Sequence, residues 1–284
     1  MRKSDYFERT DSKIKILFIY ITLIIMSLLA IYPVLNILSS SLRPSNQLFS
    51  TSLKIIPENA SLMNFKTAIF KKPLVRWILN SMIVSFISMF ISIVFSATSA
   101  YAFSRYKFLG KKSGMIILLV TQMFPAAMLL LPLNILLTNM GLSEKLWALT
   151  IPYISSSVPF SIWLLKGYFD TIPTSIEESA YVDGASVLTT FYKIVLPLSK
   201  PALAVASIFC FMNSWSEYIV ARVLIHDERL YTLPLGLVTL QGQYNTEWGV
   251  YSACAILTSI PVMIIFSYLS KYLIGGLTIG SIKE

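Results

Sequence analysis

Apolar residues form six long runs along the 284-residue chain, separated by shorter polar segments. Each run is long enough to cross the roughly 30 Å hydrocarbon core of a bilayer as a helix, at about 1.5 Å per residue. Helices are the expected form, because lipid offers no partner for free backbone groups. The pattern therefore predicts an all-α protein with six transmembrane helices, at roughly 14–37, 78–103, 113–137, 146–165, 202–221 and 250–270.

The same pattern divides the chain into three parts. They are residues 1–75, with the first span and an extracytoplasmic linker; residues 76–271, a core of five spans; and residues 272–284, a tail. The first run is too long for the apolar region of a signal peptide, so we interpret it as a retained span. Three prolines in the later spans predict kinked helices: Pro125, Pro132 and Pro152.

Composition agrees with a membrane protein, since 55% of residues are hydrophobic and only 13% are charged. The net charge of +9 arises mainly from short segments between the runs, which favours orientation signals and lipid headgroup contact over nucleic-acid binding. The loop from Arg105 to Lys112 holds four basic residues and predicts the cytoplasmic side. Both termini are then cytoplasmic.

Few side chains are available for catalysis or metal binding. The chain has one histidine, His226, and two cysteines, Cys210 and Cys254, which lie inside apolar runs. We therefore expect no catalytic site and no metal site. The one Gly-Lys pair, Gly110-Lys111, lacks the other residues of a phosphate-binding loop, so an ATP site is not expected either. No enzymatic activity is therefore expected of this chain.

A polar stretch at residues 177–197 is longer than a simple turn requires. Ser175 with Glu178, like Thr174 with Glu177, fits a capping box and predicts a helix that starts near residue 176. Acidic residues in a first helical turn also suit the helix dipole.

Gly184 is predicted to break this helix, because glycine adopts positive φ without strain. A second helix follows, with apolar residues on one face: Val187, Leu188, Phe191, Ile194 and Val195. Pro197 is predicted to end it, and Pro201 to open the next span. Two bent helices of this kind fit a linker lying on lipid headgroups as well as a docking element for a cytoplasmic partner.

The spacing of this stretch resembles that of bacterial type I ABC importer permeases, whose cytoplasmic motif has the form E-A-A-x3-G-x9-I-x-L-P. The motif falls on Glu178, Ser179, Ala180, Gly184, Ile194, Leu196 and Pro197, with Ser179 in place of the usual Ala. Further stretches resemble the second membrane subunit of maltose and maltodextrin importers: QMFPA at 122–126, LKGYFDTIP at 165–173, VLPLSKPAL at 195–203, YTLPLGL at 231–237 and GGLTIGSIKE at 275–284.

The resemblance implies a MetI-like permease bundle that imports a sugar, such as a maltodextrin, across the bacterial cytoplasmic membrane. It implies a heterodimer with a second homologous permease subunit, two ATPase subunits that bind ATP and Mg, and an extracytoplasmic solute-binding protein; the chain itself needs no cofactor. Coupling helices are expected at about 174–196. The residues assigned to ATPase coupling are Glu177, Glu178, Ser179, Ala180, Asp183, Gly184, Ile194, Leu196 and Pro197. The tail from Gly275 to Glu284 is also expected to reach the ATPases.

Asn213 and Glu217 are polar residues toward the outer end of the fifth predicted span. They are interpreted as lining the pathway or a subunit interface. Interhelical hydrogen bonding explains Asn213 at least as well, and an anchor near the headgroups is the alternative for Glu217. The same kind of permease for glycerol phosphate or an amino acid stays an alternative. An ion-coupled secondary transporter is less consistent with the sequence, which shows neither clear paired intramembrane charges nor clear repeat halves.

Overall fold

The computed structural model describes residues 13–44, 56–57, 59–242 and 246–279, and these ranges contain helices and no β-strand. The all-α prediction is confirmed. The α-helices are α1 (Lys13–Leu42), α2 (Met63–Phe70), α3 (Leu74–Arg105), α4 (Lys111–Thr121), α5 (Ala126–Asn139), α6 (Thr150–Phe169), α7 (Thr174–Val182), α8 (Val187–Thr190), α9 (Leu196–Leu198), α10 (Lys200–Trp215), α11 (Ile219–Leu224), α12 (Leu233–Thr239) and α13 (Trp248–Ile279). A wider π-helical turn at Phe191–Val195 joins α8 to α9.

The chain forms two compact units, and the larger comprises residues 72–243 with 257–284. At its centre α3 packs against α6 and α10. The buried face of α3 carries a row of serines: Ser81, Ser85, Ser88, Ser92 and Ser96. Because lipid tails are as apolar as leucine, helices in a membrane associate through small residues that let backbones approach each other. The serine row accounts for the packing of these three helices.

Among the described residues of this unit, two clusters of buried apolar side chains can be distinguished. The first includes Tyr101, Leu165, Phe169, Phe191 and Val195. The second includes Val84, Leu149, Tyr153, Leu224 and Leu235. The first cluster joins the ends of α3 and α6 to the π-helical turn, so it holds the segment after α6 against the helical core.

Within the described part of the chain, four helices are long and apolar enough to cross a membrane: Lys15–Leu42, Leu74–Arg105, Leu146–Phe169 and Trp248–Tyr272. A fifth crossing is added if Val187–Leu198 and Lys200–Trp215, which are bent by 80° at their junction, count as one span. The predicted third span is instead divided between α4 and α5. Six crossings are compatible with this arrangement and stay a prediction.

Proline explains the division of the third span. Pro125 precedes α5 with an extended backbone (φ −59°, ψ 122°), and proline has no N–H to continue a helix from α4. The prediction that Pro125 kinks a helix is therefore wrong, whereas Pro132 does lie inside α5. Pro152 lies in the first turn of α6, where the missing N–H leaves no gap in the helix.

The smaller unit comprises residues 1–71 with 244–256. Its longest helix, α1, exposes apolar side chains along most of its length, including Phe18 and Leu29. The Asn64 amide donates to the carbonyls of Ser41 and Arg43 at 3.0 and 2.8 Å, which satisfies two acceptors at the end of α1.

At the C-terminal end, α13 continues beyond the predicted span to Ile279. The first part of the predicted tail is therefore helical. Residues 1–12 and 280–284, on which the predictions for the two termini partly rest, lie outside the described residues.

Candidate coupling site at residues 174–199

The first half of the predicted motif is α7, which ends in a glycine turn. Gly184 has φ of +83°. Its N–H donates to the carbonyl of Tyr181 at 3.0 Å, and the N–H of Ala185 donates to Ala180 at 2.9 Å. These two bonds are the Schellman pattern, which satisfies carbonyls that a helix end would leave free. The predicted break at Gly184 is confirmed.

The start of α7 differs from the prediction. Pro173 occupies the N-cap position, and no side chain caps the helix. The predicted capping box at Ser175 is wrong, because the helix begins at Thr174, before that serine could act as a cap. Ser179 instead donates from its hydroxyl to the carbonyl of Ser175 at 2.9 Å.

The second half of the motif is helical, but its buried face is not the predicted one. Val187 and Leu188 are exposed, whereas Thr190, Phe191 and Val195 are buried. Phe191 and Val195, in the π-helical turn, are buried as predicted, whereas Val187 and Leu188, in the turn before it, are not. The predicted apolar face is therefore only partly correct.

The end of this helix also differs from the prediction. Helical geometry continues through Pro197 to Leu198, and the 80° bend follows at Ser199. The Ser199 hydroxyl donates to the carbonyl of Val195 at 2.7 Å. Pro201 lies in the first turn of α10, as expected.

Glu177 faces the helical core and is only 3% exposed. It accepts hydrogen bonds from Arg105 Nε at 2.5 Å and from the Tyr101 hydroxyl at 2.6 Å. Arg105 also donates to the carbonyl of Ile172 at 3.0 Å. These bonds compensate the burial of both charges, so the first turn of α7 is fixed to the end of α3.

Sequence reasoning missed Tyr101 and Arg105 as partners of the motif. A signal was present, because the two residues are four positions apart near the end of an apolar helix and so share one face. The sequence could not show that the motif glutamate faces this pair.

A second set of polar contacts lies beside the ion pair. The Ser104 hydroxyl and the Lys166 ammonium donate to the two carboxylate oxygens of Asp170 at 2.6 and 2.5 Å. Partial burial raises the pKa of Asp170, but the bonds from Lys166 and Ser104 outweigh it and hold the pKa below its usual value. The ends of α3 and α6 are therefore linked by charge as well as by packing.

The opposite side of the segment is open. Val182 is 89% exposed and Leu188 68% exposed, and Tyr192 is exposed as well. Glu178 and Asp183 add two exposed carboxylates. We call Glu178, Val182, Asp183, Leu188 and Tyr192 the outer face.

The remaining motif residues divide between the two sides. Ala180 is buried, Ile194 and Leu196 are partly buried, and Ser179, Gly184 and Pro197 are exposed. The segment has an inner side that packs on the protein and an outer side whose side chains are exposed among the described residues.

The predicted pathway residues lie elsewhere, near α6. The Asn213 amide donates to the hydroxyls of Ser156 and Ser157 at 2.7 and 2.9 Å. The Gln122 amide reaches the carbonyl of Ser156 at 3.4 Å. A polar cluster thus forms beside the break between α4 and α5.

Glu217 is engaged in a different way. Its carboxylate accepts from the Val220 and Ala221 N–H groups at 2.8 and 3.2 Å, and from the Tyr153 hydroxyl at 2.8 Å. It therefore stabilises the start of α11 and ties it to α6.

Comparisons with known proteins agree with this architecture. Residues 92–278 match the family described as "Binding-protein-dependent transport system inner membrane component". A galactooligosaccharides transport system permease protein, GanQ, of Bacillus subtilis is 36% identical over 95% of this chain and 96% of its own length. The maltose/maltodextrin transport system permease protein MalG of Vibrio vulnificus is 35% identical over 89% of this chain and 90% of its own.

A solved structure supports the same assignment. The crystal structure of a bacterial ABC transporter involved in the import of the acidic polysaccharide alginate contains a chain that is 26% identical. The structural match covers 94% of this chain and 99% of the chain in that structure, with a TM-score of 0.79. The chain belongs to the family of binding-protein-dependent transport system inner membrane components and is a multi-pass membrane protein.

Proposed function

We propose that the chain is the membrane-spanning permease subunit of an ABC importer for an oligosaccharide. It pairs with a second, homologous permease subunit, and an extracytoplasmic solute-binding protein delivers the sugar. The assembly includes two ATPase subunits, and one of them binds the segment at residues 174–199. Support comes from the family match and from relatives named for galactooligosaccharide and maltodextrin transport.

The observation that carries the coupling role is the two-sided construction of this segment. Its inner side is fixed by the Arg105–Glu177 ion pair, and its outer face exposes Val182, Leu188 and Tyr192. Exposed apolar side chains next to two carboxylates are more typical of a surface that binds another protein than of a loop that only faces water. The outer face is therefore the surface that we assign to the ATPase.

Movement of the ATPase would reach the membrane by two connections. The first runs through Glu177 and Arg105 into α3. The second runs through the bend at Ser199 into α10, which packs on α3 and α6. Because these three helices pack together, displacement of the segment would shift them as a group. The segment then lies on the cytoplasmic side, and so do both termini.

The polar cluster beside the break between α4 and α5 is our candidate contact with the sugar. The side-chain amides of Asn213 and Gln122 both donate hydrogen bonds to Ser156. They can exchange these hydrogen bonds for bonds to the hydroxyl groups of a sugar. Non-helical backbone at membrane depth is tolerated where it is buried in protein or lines a polar cavity, which favours a pathway at this point.

Leu188→Ser tests the coupling role. In the reconstituted transporter we expect it to reduce binding-protein-stimulated ATP hydrolysis severalfold, because it removes an apolar contact from the outer face. Leu62→Ser is the matched control, since Leu62 is similarly exposed at 62% but lies before α2. If the binding protein stimulates ATP hydrolysis equally in Leu188→Ser, Leu62→Ser and the unchanged protein, the outer face has no coupling role.

The solute class is tested separately. We expect stimulation when the cognate binding protein carries an oligosaccharide. Stimulation by an amino acid or glycerol phosphate, and by no sugar, would reject the sugar while leaving the coupling role intact.

A further inference from the structure

A groove of about 680 Å³ opens where the end of α3 turns into α4, against the last turns of α6. Lysines and apolar side chains line it together. The residues that matter here are Lys111, Lys112 and Lys166, with Met115, Ile116 and Trp163. The groove is separate from the outer face, and none of its residues has a role in the coupling segment.

The groove carries an excess of positive charge. Lys112 has no hydrogen-bond or ion-pair partner among the described residues. Lys111 donates to the carbonyls of Tyr106 and Ser104 at 3.1 and 3.5 Å, which leaves its charge uncompensated. Lys166 is paired with Asp170. Lys166 is the one of these three lysines that forms an ion pair among the described residues, so an anionic ligand would balance the charge of Lys111 and Lys112.

The other wall of the groove is apolar and continues into a lipid-facing surface. Ile116 is 50% exposed and Ile117 61% exposed on α4. The indole of Trp163 is 39% exposed and donates from Nε1 to the carbonyl of Met115 at 3.2 Å, which fixes its orientation. Tryptophan held in this way is typical of the boundary between hydrocarbon and headgroups.

We propose that the groove binds an anionic phospholipid. Its phosphate lies between Lys111 and Lys112, and one acyl chain lies along Met115, Ile116 and Trp163. A soluble anion would leave the apolar wall in water, whereas a phospholipid satisfies both walls with one molecule. Basic pockets at the ends of transmembrane helices recognise such headgroups through the same charges. The site does not depend on the proposed sugar transport.

Trp163 supplies the measurement. The full chain is reconstituted in phosphatidylcholine vesicles that contain either brominated phosphatidylglycerol or brominated phosphatidylcholine, since bromine quenches tryptophan fluorescence on contact. The Trp163 signal is the difference between the unchanged chain and Trp163→Phe. We expect brominated phosphatidylglycerol to quench Trp163 at a lower mole fraction than brominated phosphatidylcholine.

Lys112→Gln is the first variant, because an exposed side chain without partners can be changed without disturbing the fold. Lys112→Gln should weaken the preference for the anionic lipid about fivefold, the contribution expected of one lysine near an anionic surface. The double variant Lys111→Gln with Lys112→Gln should weaken this preference further. Lys200→Gln, an exposed lysine at the start of α10, should leave it unchanged.

Two results would overturn the proposal. Equal quenching by both lipids would show no headgroup recognition and would leave a protein partner as the occupant. A preference that survives Lys112→Gln and the double variant would place the recognition outside the groove.

Discussion

Arg105 Nε and Glu177 Oε1 lie 2.5 Å apart although the two residues are 72 positions apart in the chain. Their side chains are only 12% and 4% exposed, so this ion pair is shielded from water. It joins the end of the long helix α3 to the first turn of α7. The contact attaches the segment to the membrane core, together with the apolar cluster around Tyr101 and Phe191.

Removing the charge of Glu177 should destabilise the protein strongly. Glu177→Gln leaves the Arg105 guanidinium buried without a counter-charge, and breaking a buried pair in this way costs roughly 3–5 kcal/mol. Thermal unfolding in detergent should show a clear loss of stability. Glu178→Gln is the control, because the neighbouring Glu178 is exposed. If the two variants unfold at the same temperature, the pair does not hold the segment.

Gly184→Ala should destabilise the turn between α7 and α8. No atom lies within 4 Å of the added methyl group, so the effect comes from φ of +83°, which costs an L-residue about 1–2 kcal/mol. Gly167→Ala should instead stabilise the protein. Gly167 lies inside α6 with open space around it, and alanine favours a helix over glycine by up to about 1 kcal/mol. Unfolding midpoints should shift in opposite directions; a shift in the same direction would contradict this account.

Gly236→Ala should disturb the packing of α12. A methyl group there would lie 2.1 Å from the indole of Trp77, which is fully buried. Overpacking of this kind costs about 1–3 kcal/mol. In a Trp77→Phe background the smaller ring gives the methyl group room, so the same substitution should cost less in unfolding measurements. Additive effects of the two changes would show that the contact is not limiting.

Glu144 should make the free energy of unfolding depend on pH in the acid range. Its carboxylate accepts from the N–H groups of His226 and Asp227 at 2.9 and 3.2 Å. Burial raises the pKa of Glu144, but the bonds from Asp227 and His226 outweigh it, and the pKa lies below its ordinary value. The carboxylate therefore stabilises the fold fully above the unfolded pKa of about 4.3, and this contribution is lost as the pH falls through the folded pKa.

The measurement is the unfolding temperature between about pH 3 and pH 7. Glu144→Gln should flatten its pH dependence at the acid end. Glu228→Gln, at an exposed position three residues before Tyr231, should leave the dependence as it is. An unchanged pH profile in Glu144→Gln would rule out this contribution.

Much of the architecture follows from local rules. Long apolar runs can satisfy their backbone in lipid only as helices, and a glycine between two helical patterns can adopt positive φ. The helical form of these runs and the turn at Gly184 could therefore be predicted. The break before Pro125 was harder to predict, because proline in a transmembrane segment is compatible with a kink as well as with a complete break.

The inner contacts of the segment could not be predicted from spacing. Whether Glu177 points to the core or to solvent depends on Arg105, which lies far away in the chain. The π-helical turn at Phe191–Val195 has no simple sequence pattern, and neither has the exposure of Val187 and Leu188 in the turn before it. The apolar pattern was recognised, but the direction of its face required the tertiary structure.

The central claim is that the outer face binds an ATPase subunit, and a photo-crosslinking amino acid at Leu188 tests it most directly. In membranes that contain the assembled transporter, irradiation should produce an adduct with the combined mass of this chain and the ATPase. The same amino acid at Leu62 should produce no such adduct. If the transporter assembles and hydrolyses ATP but Leu188 yields only lipid or permease adducts, the outer face is not the coupling surface.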